Sequence, residues 1–458
     1  MWELKPTLHK ELQTSSCAVL PRRGIFSPAS SFNCAPPKAM LLTRLLGVAA
    51  LARCAASSSD AQLPLGDSAT APSSKYPTEA DDDAPAWRNS FLDLHRSIVE
   101  ISSISGTEAD VGQYLFDYLL QKGYSVEKQK VQSRKNTDKS KGRFNVLAWR
   151  GDSRTLQSKV LVTSHIDVVP PHIPYGIEDG KVNKDTKIWG RGSVDAKASV
   201  VAQIQALENL LKEGKVEEDD VSLLFVVGEE DQGDGMHTFS ESLLEANPPQ
   251  SFNAVIFGEP TENKLACGHK GGVFGNITAK GVAGHSGYPW LGKSANNLMI
   301  RALARVLETD LGSDETFGNT TVNIGRFDGG VAANVIPDHA FVGIAVRVAI
   351  GPQKTGGDIV QARIQAILDE VDEDAFTMTI SHNYGVVEAN CEVNGFETAV
   401  MNYGTDIPNL KGNHTRYLYG PGSILVAHGD NESLTVGDLE TAVDGFERLI
   451  LHTLKESS

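Results

Sequence analysis

Short apolar segments that end in metal-ligating side chains constrain this chain more than any other feature. Four such runs are too brief for helices and rich in β-branched residues, which predicts strands. They span 160–164, 222–227, 254–257 and 423–427. Apolar positions between 200 and 211 recur at helical spacing and are followed by Gly214, which predicts a helix between two of the strands. This alternation predicts an α/β fold with a mostly parallel sheet covered by helices on both faces.

The residues that follow these four runs have side chains that bind metals. They are His165, the pair Glu229 and Glu230, Glu259, and His428. Ligands of open α/β sheets bind beyond the carboxyl ends of the strands, so we expect these side chains to meet at one edge. Asp195 adds a further carboxylate just before the predicted helix. Together these residues predict a metal site.

The number of candidate ligands indicates two metal ions. Two imidazoles and three carboxylates exceed what one tetrahedral zinc ion with an open position can hold. If Asp195 bridges, one ion takes His165 and Glu259, and the other takes Glu230 and His428. This is the arrangement of two-metal hydrolytic sites. Nitrogen and oxygen ligands suit Zn²⁺, with Co²⁺ or Mn²⁺ as alternatives.

Two more carboxylates have predicted roles beside the metals. Glu229, next to a ligand, can take a proton from the attacking water and pass it to a leaving amine. Asp167 lies two residues beyond His165 on the same face of the strand and can orient that imidazole. The predicted chemistry is therefore hydrolysis of an amide bond.

The stretch between Glu259 and His428 is far longer than a loop, which predicts a second domain. We expect strands near 272–281, 320–327, 340–348 and 376–382 and helices near 294–309 and 356–371. Their β-α-β-β-α-β order predicts a two-layer lid inserted into the catalytic domain. The predicted boundaries are 87–268 for the first catalytic part, 269–385 for the lid and 386–458 for the second catalytic part.

At this level of detail the chain resembles a known family. Residues from about 90 to 455 are similar to the dizinc metallopeptidases that include glutamate carboxypeptidase, carboxypeptidase S, aminoacylase and acetylornithine deacetylase. The resemblance rests on an ordered set of motifs: SHIDVVP at 164–170, GRGSVD at 190–195, EE at 229–230, GEP at 258–260 and AHG at 427–429. It implies that Asp195 bridges the metals, that Glu229 is the general base and that Asp167 orients a ligand.

The resemblance also implies three substrate-binding residues in the lid. His285, in the segment GHSG at 284–287, is similar to a histidine that polarises the scissile carbonyl, in some members from the other subunit of a homodimer formed through the lid. Asn334 and Arg347 are similar to residues that hold the substrate carboxylate. The chain departs from the family pattern at 198–199, where Ala and Ser replace two glycines, and at Ala345, where an aspartate is frequent.

The resemblance, together with the signal-type segment at 40–59, predicts a secreted carboxypeptidase that acts on short peptides. An N-acyl-amino-acid deacylase is the alternative, because both enzymes cleave an amide beside a free carboxylate. The presence of Glu229 beside all five ligands argues against a module that only binds metal. The segment GYPWLGKS at 287–294 matches the phosphate-loop pattern of NTPases. However, Pro289 removes an amide and Trp290 crowds the space that a phosphate needs, and Ser294 is instead predicted to cap a helix.

The first 86 residues are predicted to carry processing and linker segments. Residues 40–59 contain a basic residue, a short apolar stretch and then small residues, which is typical of a secretory signal peptide. The alternative is a disordered tail with a chance apolar patch. Residues 1–39 are interpreted as an upstream extension and 60–86 as a flexible linker. Secretion would allow N-glycosylation at four acceptor sites, namely Asn276, Asn319, Asn413 and Asn431.

Composition excludes other classes of protein. The chain has 42 lysine and arginine residues against 58 aspartate and glutamate residues, a net charge of −16 that repels nucleic acids. No apolar run approaches the roughly 20 residues that cross a bilayer. Cys267 and Cys391 remain after the predicted cleavage. They are expected to form one disulfide in an oxidising compartment or to stay as two buried thiols.

Overall fold

The computed structural model describes residues 83–151 and 158–456, so the predicted extension and signal peptide, and nearly all of the linker, lie outside the described residues. The helices are α1 (Arg88–Glu100), α2 (Ala109–Gln121), α3 (Lys197–Lys212), α4 (Asp234–Glu245), α5 (Ala295–Glu308), α6 (Gly356–Val371) and α7 (Val436–Glu456). None of these described helices is long and apolar enough to cross a membrane.

The strands divide between two main sheets and several short ribbons. In chain order they are β1 (Ser125–Val131), β2 (Arg143–Trp149), β3 (Val160–His165), β4 (Gly176–Ile177), β5 (Lys187–Trp189), β6 (Val221–Val226), β7 (Ala254–Gly258), β8 (Leu265–His269), β9 (Gly271–Lys280), β10 (Gly284–His285), β11 (Ser313–Asp314), β12 (Gly318–Asn319), β13 (Thr321–Gly329), β14 (Val335–Ile336), β15 (His339–Val348), β16 (Phe376–Tyr384), β17 (Val387–Glu388), β18 (Thr398–Met401), β19 (Thr415–Tyr419) and β20 (Ser433–Thr435).

The largest sheet of the described residues has nine strands in the order β1-β2-β6-β3-β7-β19-β8-β17, with β18 also paired to β8. Its central strands β6, β3, β7 and β19 run parallel. Every residue of β3, β6 and β7 is buried, as expected for parallel strands covered on both faces. Helices α1, α3 and α7 share one hydrophobic core with this sheet, and α4 belongs to a second core. The predicted α/β fold is confirmed.

The predicted strand at 423–427 is wrong. Ser423 makes one isolated bridge to Thr261, and the residues after it form turns. Leu425 is 86% exposed, so this apolar run is not part of the buried sheet. The strand that pairs with β7 on this side is β19, which ends before Gly420, and Pro421 has no amide hydrogen to continue a strand ladder. Apolar composition alone therefore did not distinguish a strand from a surface turn.

The second main sheet contains four antiparallel strands in the order β13-β15-β9-β16. Helices α5 and α6 pack against it and share its own hydrophobic core. Residues along β15 alternate between buried and less buried, so one face meets the helices and the other remains free. The predicted β-α-β-β-α-β order is confirmed, although the boundaries at 268/269 and 385/386 stay predictions. Ser294 caps α5, because its hydroxyl accepts a hydrogen bond from the Asn297 amide at 3.2 Å.

A disulfide joins Cys267 in β8 to Cys391 across 124 residues of sequence. The two cysteines therefore form a disulfide and are not two buried thiols. A cross-link of this kind stabilises a protein mainly because it restricts the unfolded chain, and longer enclosed segments gain more. Disulfides of this type persist in oxidising compartments.

We expect the double variant Cys267→Ser/Cys391→Ser to lose about 2–4 kcal/mol of unfolding free energy. Urea denaturation would measure this loss. A reductant should lower the unfolding midpoint of the wild-type protein and leave that of the double variant unchanged. A double variant as stable as the wild type would show that the cross-link contributes nothing to the folded state.

Candidate metal centre and active site

A cavity of about 680 Å³ lies between the carboxyl ends of the parallel strands and the free face of the small sheet. Its floor carries carboxylates and an imidazole from the large sheet and its loops. Its opposite wall carries side chains of β9, β15 and β16. The floor residues in question are Asp195, Glu229, Glu230, Glu259 and His428.

Three parallel strands deliver candidate ligands to this floor. His165 is the last residue of β3, and Glu259 directly follows β7. After β6 the chain turns at Gly228, which has a left-handed φ of 79°, and then presents Glu229 and Glu230. A side chain at Gly228 would collide with Asp234, since an added Cβ would lie 2.0 Å from its Oδ1. The strand-end prediction therefore holds for these four residues.

The other two candidates reach the cavity from loops. Asp195 lies two residues before α3, as predicted. His428 belongs to the turn that replaces the wrongly predicted strand, and its backbone has a left-handed φ of 64°. The side chain of His428 is 53% exposed, whereas that of Asp195 is 7% exposed.

The side chain of Asp195 lies between the two imidazoles. Its Oδ1 is 3.1 Å from His165 Nε2, and its Oδ2 is 3.3 Å from His428 Nε2. On the first side, His165 Nε2 is 3.8 Å from Glu259 Oε2. On the second side, His428 Nε2 is 2.9 Å from Glu230 Oε2. The structure thus brings together all five predicted ligands, in the two groups that the sequence predicted, around one shared carboxylate.

The donor atoms of this cluster lie close enough together to hold a metal ion. Ligand atoms of His165, Asp195 and Glu230 all lie within 4.8 Å of one another, and so do those of His165, Glu229 and Glu259. Imidazole nitrogen and carboxylate oxygen suit divalent metals of the zinc type. The second of these groups contains Glu229 in place of Asp195, which places the predicted general base at the edge of the ligand cluster.

Several acidic side chains crowd together in this cluster, and their charges shift one another's pKa values. Burial, reinforced by the charge of Asp195, raises the pKa of Glu230 to about 7. Burial also raises the pKa of Glu259 to about 7, although His165 opposes this shift. Burial and the charge of Glu259 raise the pKa of Glu229 well above its usual range. Such buried carboxylates need compensating positive charge to ionise.

The two histidines respond in the opposite direction. Hydrogen bonds to Asp195 and Glu230 raise the pKa of His428 to about 10. Burial alone would lower the pKa of His165, but the charge of Glu259 and the contact with Asp195 raise it well above its ordinary value. A metal ion at these nitrogens would compete with protons for the imidazole lone pairs.

Asp167 supports this cluster differently from the prediction. The Nδ1–H of His165 donates to the backbone carbonyl of Asp167 at 3.0 Å, and the carboxylate is more distant at 3.7 Å. The carboxylate instead accepts from the amides of Glu229 and Glu230 at 3.1 and 3.3 Å, and from the Ser105 hydroxyl at 2.7 Å. Asp167 therefore directs His165 Nε2 toward the cavity through its main chain and holds the acidic loop through its side chain.

The three predicted lid residues do not lie together. Arg347 of β15 lines the cavity opposite the carboxylates. His285 and Asn334 are exposed and are not among the cavity residues. They lie next to each other, since β10 pairs with β14 and the Ser286 amide donates to the Asn334 carbonyl at 3.0 Å.

Several residues at the site were not singled out from the sequence. Tyr384 and His382 of β16 line the cavity beside Arg347. Asp406 lies buried behind the floor, where its Oδ1 accepts from Asn409 Nδ2 at 2.7 Å and its Oδ2 has no partner among the described residues. Glu432, which follows the predicted glycan acceptor Asn431, is buried beneath the loop of Asp195. Nothing in the spacing of these residues signals their position.

All four asparagines predicted to carry glycans are exposed. Asn276 lies in β9 and Asn319 in β12, whereas Asn413 and Asn431 lie in the turns before β19 and β20. Their exposure is compatible with modification, which stays a prediction.

Comparisons with known proteins agree with this geometry. The profile of peptidase family M20/M25/M40 matches residues 161–452. A peptidase M20 domain-containing protein of Sordaria macrospora is 54% identical over 400 residues, which cover 83% of this chain and 88% of the relative. A probable carboxypeptidase of Aspergillus oryzae is 48% identical over 380 residues, which cover 79% and 86%.

A solved structure has the same fold at low sequence identity. The crystal structure of a tripeptidase from Staphylococcus aureus superposes with a TM-score of 0.63 at 21% identity, covering 80% of this chain and 99% of that one. The profile match and the relatives at about half identity settle the family. The chain therefore belongs to peptidase family M20/M25/M40 and is a metallopeptidase whose relatives include probable carboxypeptidases.

Proposed function

We propose that the protein is a secreted dizinc carboxypeptidase that removes C-terminal residues from short peptides. The observation that carries this proposal is the position of Asp195, whose two oxygens face two different imidazoles at 3.1 and 3.3 Å. A single carboxylate shared in this way is the bridging ligand expected of a two-cation hydrolytic site. The carboxypeptidase relatives support the peptide substrate.

The ligand set would hold one cation through His165, Asp195 and Glu259, and the other through Asp195, Glu230 and His428. Zinc is the proposed metal because nitrogen and oxygen ligands with an open position suit it, and Co²⁺ or Mn²⁺ can replace it. When bound, two such cations polarise the scissile carbonyl and make a water molecule acidic enough to attack at neutral pH.

Glu229 is the proposed general base. Its carboxylate lies at the edge of the ligand cluster and lines the cavity. Burial and the neighbouring Glu259 raise its pKa, so that it can accept a proton from the attacking water and return it to the leaving amine. The contact between Asp167 and the Glu229 amide holds this loop in place.

Arg347 is the proposed binding residue for the terminal carboxylate of the substrate. Its guanidinium lies across the cavity from the metal ligands and stacks over Phe274, 5.1 Å from the ring centroid. Tyr384 lies close by, because a Cβ placed on Gly404 would be 2.4 Å from the tyrosine hydroxyl and 3.5 Å from Arg347 Nη1. Burial raises the pKa of Tyr384 to about 12, so the hydroxyl remains a neutral donor beside the arginine. A planar guanidinium with a second donor suits a carboxylate.

Secretion is supported by the disulfide and by the exposed glycan acceptors, in addition to the signal-type segment. A disulfide of this kind is rare in reducing compartments. A secreted carboxypeptidase would act on peptides outside the cell.

A homodimer through the lid is also part of the proposal. Tyr288, Trp290 and Leu291 are 52%, 74% and 64% exposed and lie beside His285 on the lid surface. Exposed apolar residues grouped in this way mark an interaction surface. A second copy packed on this surface would contact the region of His285, which the family resemblance implies can act from one subunit on the other.

An N-acyl-amino-acid deacylase remains the second candidate function. The same metal ligands, base and carboxylate-binding arginine would serve it. The names of the relatives favour the peptidase.

Replacement of the general base tests the mechanism directly. Glu229→Gln should lower kcat by about 10²- to 10⁴-fold, because the amide cannot take a proton. Both metals should stay bound, as measured by metal analysis of the purified protein. Glu245→Gln, an exposed glutamate at the end of α4, is the control that should keep full activity. A loss below tenfold would remove Glu229 from the base role.

A substrate panel tests the proposed specificity. We expect hydrolysis of dipeptides and tripeptides with a free C-terminal carboxylate in the presence of zinc, none with a chelator, and slower hydrolysis of N-acetyl amino acids. Arg347→Met should raise KM for free acids by about 10- to 100-fold and leave C-terminal amides unaffected, because only a carboxylate pairs with the arginine. Arg326→Met, on the neighbouring strand and 70% exposed, is the matched control. Faster cleavage of N-acetyl amino acids would identify a deacylase.

Zinc binding should release protons. Hydrogen bonds to Asp195 and Glu230 raise the pKa of His428 to about 10, and burial raises the pKa of Glu230 and of Glu259 to about 7. These groups must lose their protons to become ligands, so several protons should leave when zinc binds at pH 7, and zinc affinity should fall as pH is lowered. Calorimetry in buffers of different ionisation enthalpy measures this number. Heats that do not depend on the buffer would contradict the protonation that we assign to the cluster.

A further inference from the structure

The carboxylate of Glu432 anchors the loop that carries the bridging residue. It is 1% exposed, and its Oε1 accepts hydrogen bonds from the amides of Gly192, Val194 and Asp195 at 2.9, 3.0 and 3.1 Å. In addition, the Glu432 carbonyl accepts from the Gly190 amide at 3.2 Å. One residue therefore holds the backbone of this loop from Gly190 to Asp195.

The same carboxylate is paired with Arg191, an arginine that also contacts the turn of His428. Glu432 Oε2 lies 2.7 Å from Arg191 Nη1, and the arginine is also 1% exposed. Arg191 then donates to the carbonyls of His428 and Gly429 at 3.2 and 3.1 Å. The chain of contacts thus runs from the Asp195 amide through Glu432 and Arg191 to the His428 carbonyl.

We propose that Arg191 and Glu432 are positioning residues that fix His428 relative to Asp195 and thereby determine binding of the cation at the Asp195–Glu230–His428 position. This inference rests on the proposed dizinc function. It concerns backbone placement, because neither side chain is within the set of metal ligands. Arg191 and Glu432 hold the loops whose side chains face the cavity.

The two cation positions differ in how their ligands are supported. His165 and Glu259 belong to or follow buried parallel strands, and the His165 ring is held by a carbonyl at 3.0 Å. His428 lies outside the helices and strands, has a left-handed backbone that is unfavourable for a residue with a side chain, and is half exposed. Among the described residues, Arg191 is the hydrogen-bond donor to the His428 carbonyl. Its loss would allow the backbone of this turn to leave the left-handed conformation.

A purely structural role is the competing explanation, and the chain contains a matched control for it. Arg88 and Glu440 form another buried pair of the same residue types, with Arg88 Nη2 donating to Glu440 Oε2 at 2.9 Å. This pair joins α1 to α7 and contacts no residue of the metal cluster in the bonds described. Loss of either pair leaves one charge buried without its partner, so both should lower stability.

The experiment measures zinc stoichiometry and affinity in Arg191→Met, Glu432→Gln and Arg88→Met, by calorimetry and by competition with a coloured chelator. Arg191→Met and Glu432→Gln should weaken the second zinc ion by about 10- to 100-fold, as is usual when a residue that orients a ligand is lost. The first zinc ion should keep its affinity in Arg191→Met. Arg88→Met should bind two ions like the wild type while its melting temperature falls.

Arg191→Lys keeps the positive charge, but an ammonium group cannot contact both carbonyls and the carboxylate as the planar guanidinium does. Its affinity for the second zinc ion should therefore lie between those of Arg191→Met and the wild type. The absorption of Co²⁺ substituted at the second position should change in the same order among the variants. This spectrum reports ligand geometry and does not depend on catalysis.

Three outcomes would overturn the inference. The first is a folded Arg191→Met variant that binds both ions with wild-type affinity. The second is an Arg191→Met variant whose affinity for both ions falls by the same factor. The third is an Arg88→Met variant whose affinity for the second ion falls as much as that of Arg191→Met. If the wild-type protein itself binds fewer than two ions, the dizinc proposal fails and this inference fails with it. Wild-type binding of two ions with unaffected variants contradicts the positioning role alone.

Discussion

The crowding of acidic side chains at the carboxyl ends of the parallel strands is the constraint on which the rest of this protein depends. Asp195, Glu230 and Glu259 lie within reach of two imidazoles. Glu229 and Asp406 add further charges close to them. Buried like charges are unfavourable unless positive charge compensates them. Imidazolium ions can supply that charge only by giving up the lone pairs that bind metals, whereas divalent cations supply it and use those lone pairs. Cation binding is therefore coupled to the folded arrangement of this region.

The separation into two hydrophobic cores explains how such a charged floor can face a substrate. All the proposed metal ligands come from the large sheet and its loops, whereas Arg347 and Tyr384 come from the small sheet, which has its own core. Under the proposed function, the groups that activate water and the group that recognises the carboxylate are held by different sheets. The depth of the cavity between the sheets then sets the distance between the cleaved bond and the end of the peptide.

The sequence predicted those parts of the site that depend on regular structure. His165, Glu230 and Glu259 follow runs whose burial and β-branched composition indicate parallel strands, and parallel strands place their ends at one edge. The turn that carries His428 was predicted as a strand, because apolar composition does not reveal that Leu425 is exposed. The contribution of Asp167 was assigned to its carboxylate, although its carbonyl contacts the imidazole. Every residue has a backbone carbonyl, so residue type does not predict which carbonyl contacts the imidazole.

The same distinction accounts for Arg191 and Glu432. Ligands on strands need no separate anchor, because the hydrogen bonds of the sheet hold their backbone. A ligand on a turn lacks those bonds, so its backbone must be fixed by side chains that can lie anywhere in the sequence. Here the arginine is four residues before the bridging Asp195, and the glutamate is four residues after His428. Arg191 is thus near Asp195 in sequence but contacts the turn of His428, and Glu432 is near His428 in sequence but contacts the loop of Asp195. Under the proposed function, the sheet holds the ligands of one cation position, and a buried ion pair holds His428 at the other.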